Sequence, residues 1–187
     1  MNTVTAPQTQ TRTSTWQIDP AHTLVELSVK HMMFTTVKGR FTGVRGTIVD
    51  HADDPTQSAV QAEIDAATIT TGDEQRDAHL KSADFLDVEN YPTLTFTSTR
   101  IEGTRERFRV VGDLTIRGTS REVSLEAEFQ GRGTNPYGKE VAGFTATTQL
   151  NRKDFGLTWN VALETGGVLV SDTIKVELDV QAVRQEA

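Results

Sequence analysis

Alternation of apolar and polar residues with a period of two dominates this sequence. In HTLVELSVKH (22–31), Val25, Leu27 and Val29 share one phase and Glu26, Ser28 and Lys30 the other, the pattern of a strand with one face buried and one in water. The same period returns around Val44, Gly46 and Ile48, at Val60, Ala62 and Ile64, and at Leu94 and Phe96. It continues through Phe108, Val110, Gly112, Leu114 and Ile116, then Val123, Leu125, Ala127 and Phe129. Two further runs carry Ala142, Phe144, Ala146 and Thr148, and Val170, Ile174, Val176, Leu178 and Val180. The chain holds 29 Thr, 18 Val and 7 Ile, side chains that are stiff at χ1 and suit a pleated surface. An all-β domain follows. One apolar face per strand fits a two-sheet sandwich and a closed barrel equally, so periodicity does not choose between them.

One segment departs from the pattern. TGDEQRDAHL (71–80) has acids in its first turn and no β-branched residue from Asp73 to Leu80, which predicts a short helical insertion. Glycines near 103 and 118 predict tight turns in a meander of the surrounding strands, and GRGTNPYGKE (131–140) reads as a turn-rich connection. No repeat of 20 to 50 residues is present. The 187 residues amount to one domain. The polar leader predicts a disordered tail over 1–13 and a single domain over 14–184, with order beginning near Trp16. Small residues in the inward phase, Gly46, Ala62, Gly112, Ala127 and Ala146, leave two readings open: space for a ligand, or tight packing and strand curvature.

Charge and missing motifs exclude several chemistries. Nineteen basic against 26 acidic residues give a formal charge of -7, which argues against a nucleic-acid partner. No cysteine is present, so there are no disulfides and no thiolate ligands or nucleophiles. The sequence lacks HExxH, GxSxG, a phosphate-binding loop and GxGxxG. The first fifteen residues have neither a basic nor an apolar region of an export signal, and no run approaches 18 apolar residues; a cytoplasmic protein without stable membrane insertion is expected. Glu26, Glu63, Glu122, Glu126 and Glu128 read as the wet side of strands rather than as catalytic carboxylates. His22 and His31, nine apart, are expected on opposite faces of one continuous strand and share no metal. His51 and His79 carry no functional expectation. In LNRKDFGLTW (150–159), Arg152 or Lys153 is expected to pair with Asp154 or Asp19, because an unpaired charge beside a core is costly. Phe34, Phe85, Tyr91 and Trp159 lie beside breaks in the pattern, where they line a barrel mouth or plug a core end.

Several ordered blocks then resemble the YceI-like family: WQIDPAHTLVELSVKHMMFTTVKGRFTGVRGTI, DEQRDAHLKSADFLDVENYPTLTFTST, GDLTIRGTSREVSLEAEF, and LNRKDFGLTWN followed by VLVSDTIKVELDVQA. The resemblance spans about 16–183. Its opening motif falls on Asp19, His22, His31 and Phe34; its central block on Arg76, Asp77, Leu80, Phe85, Phe96 and Tyr91-Pro92; its late block on Asn151, Arg152, Asp154, Phe155 and Gly156. Thr23 stands where the family often has Ser, keeping a hydroxyl. The resemblance implies an extended antiparallel β-barrel, lipocalin-like in form, whose apolar tunnel binds a polyisoprenoid or other long-chain amphiphile, and a homodimer. The expected ligand-binding residues are His22, Leu27, His31, Phe34, Phe85, Tyr91, Phe96, Phe144, Arg152, Asp154 and Trp159. No catalytic residue, metal or obligatory cofactor is expected, although an isoprenoid quinone or fatty amide would be a fitting occupant. The expected role is non-enzymatic binding, storage or transport. The alternatives are an enzyme acting on a long-chain lipid and a stress-related protein-interaction module.

Overall fold

Among the described residues, the last strand, β10 (Thr173–Arg184), is the one that pairs with three others. A computed structural model describes residues 12–186, so the first eleven residues of the expected tail lie outside the described residues. In chain order the other strands are β1 (Thr13–Ile18), β2 (Leu24–His31), β3 (Thr35–Phe41), β4 (Val44–His51) and β5 (Ala59–Asp65). After helix α1 (Glu74–Lys81) come β6 (Thr93–Gly103), β7 (Arg107–Ile116), β8 (Thr119–Thr134) and β9 (Glu140–Asn151). Every pairing is antiparallel, in the order β1-β4-β5-β6-β7-β8-β9-β10, and β10 returns to β1. The ring is therefore a closed barrel, which removes the exposed edges that a sandwich would have had to protect.

One edge of β10 is shared in series by two strands. β1 pairs with it through Trp16–Ile18 and β2 through Leu24–Ser28. Pro20, which has no N–H to give a ladder, opens a 3-10 turn over Pro20–His22, capped by the Asp19 carboxylate accepting from the Ala21 amide at 3.0 Å. Thr23 is buried and mends the gap: its hydroxyl donates to the Gln181 carbonyl at 3.3 Å and accepts from the Gln181 amide at 3.2 Å. The hydroxyl at this position thus replaces lost ladder bonds. Beyond the kink, β2 and β3 form a hairpin that prolongs the barrel wall at one end. The outer edge of β3 makes a single bridge, Arg40 with Thr70.

Helix α1 and its flanks follow that bridge. Asp73 caps α1 by accepting from the Arg76 amide at 2.9 Å, with Glu74 and Asp77 in the first turn and His79 and Lys81 in the last, each on the side its charge favours. Asp77 anchors the helix to the chain before it, accepting from the Thr71 amide (2.7 Å), the Thr71 hydroxyl (2.6 Å) and the Thr70 hydroxyl (2.9 Å). Burial pushes the Asp77 carboxyl up, but these hydrogen bonds outweigh it and hold the group below the usual carboxylate range.

The structure separates the two readings of the small inward residues. Ala62 and Ala146 face the interior space. Gly112 serves curvature instead: a Cβ there would press into the Thr97 carbonyl oxygen and stand 2.7 Å from the Phe96 ring and 2.8 Å from the Ser98 Cα, beside a register shift between Ser98 and Arg100.

β1 starts at Thr13, where the Arg12 carbonyl and the strand pair with the end of β4 and the turn after it. Three sequence expectations are corrected. GRGT (131–134) belongs to β8, with a register shift between Phe129 and Gly131 absorbing the glycine; the turn is confined to 135–139. His22 is not on a continuous strand with His31 but on the Pro20 turn. Arg152 and Lys153 both pair with Asp172, at 3.5 and 2.9 Å, and not with Asp154 or Asp19; Asp19 is engaged by His22 and Gln181.

Candidate functional site: an apolar cavity along the barrel axis

The inward phase of the strands encloses an elongated cavity of about 550 Å³, within the ~300–1,000 Å³ typical of small-molecule sites. Its walls run from Phe144 to Leu150 on β9 and from Ile174 to Val180 on β10, a span of about 20 Å at roughly 3.4 Å per residue. Val25, Leu27 and Val29 face it from β2, and Phe96, Leu114, Leu125 and Phe129 from the opposite wall. Strand alternation alone produces this lining, since each strand turns its apolar phase inward.

One end is strapped by charge. Arg132 of β8 donates to the Asp50 carboxylate of β4 at 2.7 Å, and in the eight-strand ring these strands lie diametrically opposite. Arg105, in the β6–β7 turn, reaches the same carboxylate at 3.4 Å and donates to the carbonyls of His51 (3.0 Å) and Ala52 (2.7 Å). The Arg132 guanidinium also stacks 4.8 Å from the Trp16 ring and 5.8 Å from that of Phe129, a geometry that favours a cation over an aromatic face.

The other end is framed by α1, the β2–β3 hairpin and the segment 157–172. His79, Phe85 and Trp159 form an aromatic corner, with ring centroids 4.6 to 5.4 Å apart, and His79 Nε2 lies 2.9 Å from Asp84 Oδ2. Lys30, His31, Arg76, Leu169 and Val170 complete this rim. Arg152 holds the segment in place. Its guanidinium, only 2% exposed, donates to the carbonyls of Leu157 (2.7 Å), Trp159 (2.8 Å), Ser171 (3.0 Å) and Val170 (3.4 Å). Burial lowers its pKa, and Asp172 partly restores it. Arg152 is thus the pin of the rim, with its charge spent on backbone oxygens.

Of the expected ligand-binding residues, the fold brings Leu27, His31, Phe85, Phe96, Phe144, Arg152 and Trp159 onto the cavity wall. Four fall elsewhere. His22 is exposed and bonded to Asp19 at 2.8 Å, a hydrogen bond that holds the Asp19 carboxyl below its usual range. Asp154 lies on the outside of a 3-10 turn, and Tyr91 packs over Gly118. Phe34 is 81% exposed at the β2–β3 tip. Sequence reasoning missed Asp50, His79, Arg105 and Arg132, and gave Arg76 only as part of the family's central block. For His79 the helix face it shares with Arg76, three residues before it, was an available signal; the Asp50–Arg132 contact, 82 residues apart, left none.

The YceI-like domain matches residues 16–182, nearly the whole barrel. The chain belongs to the YceI-like family. A UPF0312 protein of Pseudomonas putida (strain W619) is 34% identical over 166 residues, covering 88% of this chain and 83% of the relative. Among solved structures, the Campylobacter jejuni YCEI protein superposes with a TM-score of 0.72 at 30% identity, covering 84% of this chain and 90% of that one. A polyisoprenoid binding domain from Saccharophagus degradans, implicated in plant cell wall breakdown, superposes with a TM-score of 0.68 at 12% identity, covering 91% and 98%. At that identity the likeness to this YceI-like chain is one of fold.

Proposed function

We propose that this YceI-like protein binds a long-chain amphiphile, best a polyisoprenoid, along the barrel axis and stores or carries it chemically unchanged. The observation that carries the reading is the cavity itself: about 550 Å³, elongated over about 20 Å of strand, and walled almost wholly by aliphatic and aromatic side chains. Each methylene-sized unit moved there from water is worth about 0.8 kcal/mol, so affinity grows with chain length and needs no acid, base or nucleophile. The Saccharophagus degradans domain, whose fold this chain shares, is described as binding polyisoprenoid, which supports the same class of ligand.

The rim sets the kind of head group. Lys30, His31, Arg76, His79 and Arg152 are its charged and titratable members, while the carboxylate among the cavity-lining residues, Asp50, is held at the far end by two arginines. Arg152 is bonded to backbone carbonyls, His79 to Asp84, Arg76 to Thr71 and Lys30 to Thr36, so the rim acts on a head group mainly through its excess of basic groups, which favours carbonyl or anionic oxygens, such as those of a quinone, amide or phosphate, over an amine.

Native mass spectrometry of protein purified without detergent, followed by denaturing extraction, tests this. A reproducible long-chain species at one per chain is expected, and the same spectrum reads the homodimer that the family resemblance implies. Protein that emerges empty and takes up neither an added isoprenoid quinone nor a fatty amide would sink the proposal.

A further inference from the structure

The β2–β3 tip is unusual in chemistry and position. Its two-residue turn is Met32–Met33, both at positive φ (49° and 67°), closed by the Phe34 amide donating to the His31 carbonyl at 3.1 Å. Such turns ordinarily take Asn-Gly, which adopt this conformation at least cost. Here two large apolar side chains occupy it and point into water, Met32 39% and Met33 59% exposed, followed by Phe34 at 81%. Val161, 45% exposed, adjoins them through a short relay: the Met32 amide donates to the Leu169 carbonyl and the Leu169 amide to the Val161 carbonyl. Leu169, Val170 and His31 in that relay are rim residues of the cavity. An exposed apolar cluster therefore sits directly beside the cavity rim.

The hairpin that carries the tip is predominantly basic. From residue 27 to 49 the chain has Lys30, Lys38, Arg40 and Arg45 and not one acid, although the whole carries a net -7. Lys30, Lys38 and Arg40 lie in the outward phase of the hairpin. The acids facing the region from neighbouring elements are Glu26, paired with Lys38; Glu177, opposite Glu26 on β10; Glu63, paired with Arg45; Asp172, paired with Arg152 and Lys153; and Glu164 on the 163–167 turn.

We propose that this tip docks on an anionic lipid bilayer, with Met32, Met33, Phe34 and Val161 entering the interface and Lys30 beside them facing the head groups, while Lys38 and Arg40 lie further up the hairpin and add to its positive field. An apolar tip backed by cations is an arrangement that binds a membrane surface without crossing it. It places the rim against the bilayer, so a chain moves from acyl layer to cavity without crossing water. A second copy of this chain is the weaker occupant, because two-fold pairing through the tip would set one basic face against its own duplicate.

The test is co-sedimentation with large vesicles of phosphatidylglycerol and phosphatidylethanolamine, against vesicles of phosphatidylcholine alone, for wild type and the double variant Met33→Ser/Phe34→Ser. Wild type is expected to sediment with the anionic vesicles and to be released by salt, and the variant to partition about 30-fold more weakly. Uptake of a quinone delivered in detergent micelles is measured in parallel and is expected to be equal in both proteins. That arm tests the cavity separately, since it fails if the cavity binds no lipid whatever the tip does. Wild type that stays in solution with anionic vesicles, or a variant that binds them equally well, overturns the docking proposal. So does a wild-type dimer that the double substitution converts to monomer, which assigns the tip to a second copy.

Discussion

Replacing Arg152 by Met should loosen the rim and lower stability together, by an amount that can be worked from its contacts. The guanidinium supplies three short bonds, to the carbonyls of Leu157, Trp159 and Ser171 at 2.7, 2.8 and 3.0 Å, the first fully buried and the others half so. Leaving a buried acceptor unpaired costs about 1–3 kcal/mol; we take about 2 for Leu157 and about 1 for each of the others. Relief from burying the charge returns about 1 to 2 kcal/mol. The balance is a loss of about 2–3 kcal/mol, or roughly 4–12 °C in Tm for a chain of this size. Thermal unfolding followed by tryptophan fluorescence measures it, since Trp159 sits on the segment Arg152 pins and Trp16 reports from the opposite end. Arg152→Lys should recover little, because a single ammonium cannot serve carbonyls on several sides. A Met variant within 2 °C of wild type, with unchanged uptake of an isoprenoid quinone, would refute the account of Arg152 as the pin.

Other perturbations probe separate parts of the structure. Ala146→Phe places a ring inside the cavity and should abolish co-purification of a long-chain ligand while the fold persists, as seen by native mass spectrometry beside circular dichroism. Gly112→Ala presses on the Thr97 carbonyl oxygen and Ser98 Cα as well as the Phe96 ring and should cost about 1–3 kcal/mol, read from urea unfolding; a neutral result would refute the close backbone approach assigned to Gly112. Asp77, whose folded pKa is lowered, contributes stability fully present above its unfolded value of about 3.9 and lost as pH falls through the lower folded value. Hydrogen exchange of the α1 amides should therefore quicken selectively below about pH 4, and equal protection at pH 6 and pH 3 would contradict this.

What the sequence made legible was governed by range. The strands could be read because inward and outward phases are written residue by residue, and α1 because Asp73 and the absence of β-branched residues act locally. Pro20 was also visible, but within a run whose alternation on either side looked continuous, so His22 was placed on a strand that the proline had already broken. Phe34 was read as a lining residue because Met32–Met33 carries none of the usual turn chemistry. The partner of Arg152 and Lys153 lies some twenty residues away at Asp172, and the Asp50–Arg132 contact spans 82. Pairings of that reach depend on how the ring closes, and neither member announces the other.

The Asp50–Arg132 strap has a consequence for traffic. On the proposed function, a tube bolted across one end acts as a blind alley: a chain would enter tail first and back out the way it came, with no second molecule to push it through. Exchange is then a single-file withdrawal whose rate falls steeply with each added isoprene unit. A short occupant would turn over quickly, while a long one would be held by the length of its own retreat.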